Sequence, residues 1–188
     1  LGNMKEIVQD GAEVLRDIAQ SVPEELFGTP ELARIVTDMK DALDPEIEGV
    51  AIAAPQIGIP YRIFVVRKDR TLPPPPLNAS QSDASGESRP DGIVAPEHEV
   101  YINPDITKTS RKRARVDEGC LSVRGIYGTT NRHERVTVRA RNQDGSPFER
   151  GGGGLMAQIF EHEIDHLNGI LFIDHAENII QIPHDPES

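Results

Sequence analysis

A chain of 188 residues with 37% hydrophobic content is long enough for one domain with a proper core. Its formal net charge of −11 argues against DNA or general nucleic-acid binding, because phosphates would be repelled overall. No apolar run approaches the ~20 residues needed to cross a bilayer and no secretory signal is visible, so neither a membrane nor a secreted role is expected.

Leu1-Gly2-Asn3 ahead of Met4 reads as a cloning remnant, although removal of an organellar transit segment would leave a similar terminus. The first clear helix spans Pro30 to Leu43. Thr29 suits its N-cap, Pro30 its first position, and Asp44-Pro45 its end. Leu32, Ile35, Val36, Met39 and Leu43 make one apolar face, which predicts a core-packing helix. Strands are predicted over Arg62–Arg67, Glu99–Asn103 and Arg135–Arg141, with Asp144-Gly145 as a hairpin turn. Between them, at about 69–97, lies a Pro- and Ser-rich stretch with four consecutive prolines, Pro73–Pro76. It predicts a surface insertion rather than a helix or central strand. Arg111-Lys112-Arg113-Ala114-Arg115 reads as a solvated loop or strand edge. Gly151–Gly154 lack the Lys-Ser/Thr ending of a phosphate cradle and predict a flexible joint or close packing before a second helix, Gly154 to Asn168.

That second helix carries His162-Glu163-Ile164-Asp165-His166. At helical spacing the two imidazoles stand one turn apart on one face, where they can share a divalent metal. Glu163 beside them can take a proton from water activated by that metal. A third ligand decides the class of hydrolase. The run to Phe172 nearly follows the metzincin pattern, Gly169 included, but has Phe172 where a third His is needed. For a thermolysin-type site Glu177 is too close and Glu187 lies in a Pro-broken tail. Upstream, Glu118-Gly119-Cys120-Leu121-Ser122 holds the only cysteine. A lone Cys is ordinarily a small buried hydrophobe and suits a reducing compartment. Beside two imidazoles, its thiolate completes a set suited to Zn²⁺, Fe²⁺, Co²⁺ or Ni²⁺. Gly49 to Gly58 crowds small residues into a tight corner ending in Gln56, whose amide is a candidate donor to a developing oxyanion.

Taken together, Gly49–Gln56, Glu118–Ser122 and Glu161–His166 resemble the three motifs of the peptide deformylase family, in the family's order. The Asp10–Arg16 segment resembles its N-terminal lead-in. The resemblance implies one α+β domain over residues 1–188, with antiparallel strands around a central metal-binding helix and additional N-terminal helices. It implies removal of the N-formyl group from the initiator methionine of nascent polypeptides, with release of formate. Cys120, His162 and His166 would hold the metal, with Fe²⁺ the expected working ion. Glu163 would act as base and then acid, and Gln56 and the Leu121 backbone N–H would stabilise the oxyanion. Substrate would meet Gly49, Val50 and Ala51, and its methionine side chain an apolar pocket of Val50, Leu155 and Ile159. Ordinary core is the competing expectation for the last two. Glu48 and Arg132 would form a structural pair. The implied partners are formylmethionyl nascent chains, with room for a transient ribosome contact, and the implied place is the bacterial-type cytoplasm. Four residues depart from the family's pattern: Ala51 for Gly, Glu161 for Gln, and Arg124 and Tyr127 where Pro and Arg are usual. The rival expectations are a metallopeptidase on the same helix and a metal-binding, ribosome-associated module without turnover.

Overall fold

The structure, a computed structural model, describes residues 5–71 and 95–183. The cloning remnant at 1–3, Glu187 and most of the insertion at 69–97 lie outside them.

Among the described residues, two α-helices and eight strands make an α+β fold. Helix α1 is Pro30–Leu43 and α2 is Leu155–Leu167. The strands are β1 (Ala51–Ala53), β2 (Ile63–Arg67), β3 (His98–Thr109), β4 (Arg113–Cys120), β5 (Val123–His133), β6 (Arg135–Arg141), β7 (Pro147–Gly153) and β8 (Glu177–Gln181). They form two antiparallel sheets, a five-stranded one in the order β1-β2-β3-β6-β7 and a three-stranded one in the order β4-β5-β8. The N-terminal lead-in is a short 3-10 turn, Glu13–Leu15, with Leu15 fully buried.

Strand β2 shows why the large sheet sits at the centre. All five of its residues are buried, as expected of a strand covered on both faces. Phe64 and Val66 face a cluster that includes Ile159, Phe160 and Leu167 of α2. Ile63 and Val65 face another with Leu32, Met39 and Leu43 of α1. Helix α1 forms where expected because its start is satisfied: Thr29 Oγ1 accepts the Leu32 N–H at 3.3 Å and donates to the Leu26 carbonyl at 2.6 Å. Helix α2 packs on the large sheet and also touches β5 of the small one, so its residues meet both.

Two open alternatives resolve. Gly151–Gly153 are not a joint but the paired end of β7, opposite Thr137, Val136 and Arg135 of β6. Gly152 permits close packing, since a Cβ there would lie 2.8 Å from Met156 side-chain atoms. The basic run at 111–115 enters β4, an outer strand of the small sheet. Five strands went unrecognised: β1 is only three residues long, and β4, β5, β7 and β8 are largely exposed or alternate irregularly.

Gly169 follows α2 with φ +75°, and a Cβ there would stand 2.4 Å from the Arg16 carbonyl oxygen. The helix end is thereby brought against the N-terminal segment, where Ala19 N–H also donates to Leu167 O at 2.9 Å. Gly169→Ala is expected to cost roughly 3 kcal/mol in urea unfolding, from left-handed backbone strain and the clash together. A loss below about 1 kcal/mol would mean that the two segments separate easily.

Candidate metal centre

Helix α2 places His162 and His166 with ring centroids 4.9 Å apart. Cys120 ends β4, on the small sheet, and its Sγ lies 3.2 Å from His166 Nε2. The ligand atoms of Cys120, His162 and His166 all fall within 4.8 Å of one another. The N-terminal lead-in braces the turn after Cys120: Gln9 Nε2 donates to Leu121 O at 2.9 Å and Asp10 N–H to Ser122 O at 2.8 Å. Phe172, standing where a metzincin would have its third His, is buried instead and stacks against His162.

The hydrogen bonds of His162 fix its usable nitrogen. Nδ1 lies 3.0 Å from Glu118 Oε2, so it carries the proton donated to that carboxylate. Nε2 is left as the lone-pair donor. Burial works against charge on Glu118, but bonds from His162 and Arg132 outweigh it and hold the carboxyl well below its usual range. Burial likewise disfavours charge on His162, yet Cys120 and Glu118 outweigh it and raise its pKa. His166 falls well below its ordinary value, through burial and the proximity of His162. The three residues fit a divalent ion on chemical grounds, because a thiol and two imidazoles converge.

Arg132 corrects one expectation. It does not pair with Glu48, which is exposed. Its Nε and Nη2 donate to the two oxygens of Glu118 at 3.1 and 2.6 Å, and Nη1 to Asp165 at 2.8 Å. Those carboxylates occupy the guanidinium fork on three sides, leaving no face for Glu48. The Thr130 hydroxyl and the Gln158 amide donate to Glu118 as well, at 3.1 and 3.3 Å. Sequence reasoning assigned no role to Glu118, Thr130 or Asp165.

Glu163 is 3% exposed, and its Oε2 has no partner among the described residues. Burial pushes its carboxyl up to about 7, where it can exchange a proton near neutral pH. Gln56 occupies the 3-10 turn after β1. Its Oε1 accepts the Ala53 N–H at 2.9 Å, which turns Nε2 toward Ser122 Oγ at 3.1 Å and Cys120 Sγ at 3.6 Å. Ser122, fully buried, is therefore a partner of Gln56 that the sequence did not announce.

These groups share a cavity of about 830 Å³. Gly49, Val50, Ala51, Leu155 and Ile159 line it together with Gln56, Cys120, Leu121, His162 and Glu163. Ile159 is both core and wall, whereas Leu155 is 42% exposed. Arg124 and Tyr127 also reach the wall. Arg124 is tied to Glu46 by two bonds, at 2.8 and 3.1 Å, and Tyr127 lies over Gly119. Glu161 does orient an imidazole, but that of His133 rather than of a metal ligand. Its two oxygens take the His133 backbone N–H at 2.9 Å and the Nδ1–H at 2.6 Å.

The family model for polypeptide deformylase matches residues 4–181. The chain belongs to the polypeptide deformylase family. Among deformylases, one from Carboxydothermus hydrogenoformans is 35% identical over 175 residues, covering 93% of this chain and 95% of that protein. Chloroplastic peptide deformylase 1A of Solanum lycopersicum is 34% identical over 91% of this chain, which spans only 59% of that longer protein. A class I type b peptide deformylase from Acinetobacter baumannii, solved with Met-Ala-Ser bound, superposes with a TM-score of 0.73 at 29% identity, covering 93% of this chain and 100% of that one. Metal dependence is general to deformylases, and the Cys120, His162, His166 cluster is the candidate seat for the ion here.

Proposed function

We propose that this chain is a working deformylase, hydrolysing the N-formyl group from the initiator methionine of nascent polypeptides and releasing formate. The observation that carries the proposal is the convergence of three ligand atoms beside one cavity, which Cys120 and His162 line, with a buried carboxyl whose Oε2 has no partner among the described residues and an oriented amide donor.

Cys120, His162 and His166 would hold a divalent ion, Fe²⁺ being the expected working one, with Zn²⁺, Ni²⁺ or Co²⁺ able to take the same ligands. When bound, such an ion supplies a Lewis acid for the formyl oxygen and lowers the pKa of water. Glu163 takes a proton from the attacking water and returns it to the departing amine, so one carboxyl serves both halves of the hydrolysis. The Gln56 amide and the Leu121 N–H donate to the oxygen that gains charge, and each such donor is worth about 2.7–4 kcal/mol of barrier. Val50, Leu155 and Ile159 receive the methionine side chain, and Gly49 and Ala51 flank the peptide. Water and formyl amide are thereby converted to formate and a free amino terminus.

The whole of 1–188 is read as one deformylase domain, with the 69–97 stretch as its surface insertion. A place in the bacterial-type cytoplasm and a transient contact with the ribosome belong to the same proposal. The bacterial relatives support the cytoplasm and the chloroplastic relative an organelle as the alternative. Among the described residues no helix is long and apolar enough to cross a membrane.

Protein loaded with Fe²⁺ or Ni²⁺ under anaerobic conditions is expected to release formate from formyl-Met-Ala-Ser. Stripping the ion with a chelator should abolish release, and adding it back should restore it. No formate above a Glu163→Ala control would sink the proposal.

A further inference from the structure

One wall of the cavity is the loop between α1 and β1, of which residues 45–50 line it. Its main chain makes few bonds of its own. The Glu46 N–H donates to Leu43 O and the Gly49 N–H to Glu46 O, each at 3.0 Å. Arg124 ties the Glu46 side chain from the cavity side, but what holds the loop's carbonyls comes from outside the cavity. Arg70, half-buried and not itself a lining residue, donates from Nη1 to the carbonyls of Glu46 and Gly49 at 2.6 and 2.7 Å. From Nη2 it donates to Asp44 O at 2.8 Å. One planar guanidinium thus gathers three main-chain acceptors of one loop.

Arg70 is itself mounted on a braced pedestal. It belongs to the 3-10 turn Lys68–Arg70, closed by the Thr71 hydroxyl bonding Lys68 O at 2.7 Å. Asp69 is gripped by Arg67 Nε and Nη2 at 2.9 and 2.8 Å. Arg67 Nη1 and His98 Nε2 both reach Asp44 Oδ1, at 3.0 and 2.7 Å. The far side of the stem is pinned too: Lys68 N–H donates to Glu97 O at 2.8 Å, and Glu97 N–H to Asp69 Oδ1 at 3.0 Å. The consequence falls on Gly49. A Cβ there would lie 3.0–3.2 Å from side-chain atoms of Leu43, Glu46 and Leu121, so the loop meets Leu121 at close range.

We propose that Arg70 is a positioning residue for the peptide-binding wall: by holding the carbonyls of Asp44, Glu46 and Gly49 it sets where Glu48, Gly49 and Val50 stand in the cavity wall, against Leu121. Arg70 acts through the loop and touches no reacting atom. The inference rests on the proposed deformylase activity, with formyl-Met-Ala-Ser as substrate.

The test compares Arg70→Met and Arg70→Lys with the parent protein, all loaded with the same metal. Both variants are expected to raise KM for formyl-Met-Ala-Ser about tenfold while kcat stays within about twofold, the pattern of lost positioning of bound peptide. Lysine keeps the charge but cannot fork to three carbonyls, so it should not rescue. Amide hydrogen exchange over residues 44–50 should quicken about tenfold in both variants, a readout independent of turnover. An unchanged KM in Arg70→Met, full rescue by lysine, or a loss confined to kcat would overturn the inference. A parent protein that releases no formate would instead remove the activity on which it rests.

Discussion

Glu163→Gln is expected to slow formate release by about a hundred- to ten-thousandfold while leaving the fold and the bound metal in place. Glutamine has the shape of glutamate but cannot accept a proton and return it. The substitution is structurally mild because Glu163 Oε2 makes no hydrogen bond among the described residues, so little packing depends on the charge. Removing a carboxyl that is only 3% exposed also removes the penalty of burying its ionised form, so the thermal midpoint should hold or rise. The metal ligands Cys120, His162 and His166 are untouched, and metal content should match the parent's. Single-turnover formate release, metal analysis and thermal unfolding on one preparation check all three points. A variant that keeps more than about a tenth of the parent rate would show that some other group carries the proton. Lost metal would show instead that Glu163 supports the ligands.

The helix carrying His162, Glu163 and His166 was legible because its spacing is local: three functional residues fall within one turn and a half. Cys120 was legible for a different reason, as the only thiol in a chain that needed a third ligand. Gln56 could be named, but not what aims it: Ala53 N–H is only three residues away, yet Ser122 Oγ meets it only once the turn after Cys120 is brought against the turn after β1. The Glu48–Arg132 pairing failed because the partners of Arg132 depend on strand register. Glu118 and Arg132 lie on paired strands with Thr130 between them, and residues 14 apart become neighbours only when β4 and β5 align. Glu161 could be singled out but not placed, because His133 reaches it from the end of β5. The missed partners of Gln56, Arg132 and Glu161 that lie far off in sequence are contacts between elements, whereas the successes lie within one element or rest on residue chemistry alone.

Glu118 is the residue where that missed register matters most. Five donors, from Thr130, Arg132 (two), Gln158 and His162, converge on its two oxygens. Glu118→Ala would leave the Arg132 guanidinium, 5% exposed, with Asp165 as its one remaining carboxylate partner. Breaking a buried ion pair from one side typically costs about 3–5 kcal/mol, because the stranded charge is not resolvated. The same change removes the acceptor for His162 Nδ1–H, which frees the ring to rotate or change tautomer. Loss of such an outer partner ordinarily weakens metal binding about 10–100-fold. Glu118→Ala is therefore expected to lower both urea-unfolding stability and metal affinity, the latter measured by competition with a chromophoric chelator. Glu118→Gln separates the two effects. With its carbonyl oxygen at the Oε2 position it can still accept from His162 Nδ1 and Arg132 Nη2, but without charge, and the donors of Thr130, Gln158 and Arg132 Nε then face an amide nitrogen, so it should fall between the parent and alanine on each axis. If Glu118→Ala binds metal as tightly as the parent and unfolds within about 1 kcal/mol of it, the Arg132–Glu118–His162 chain is not what holds the centre in place.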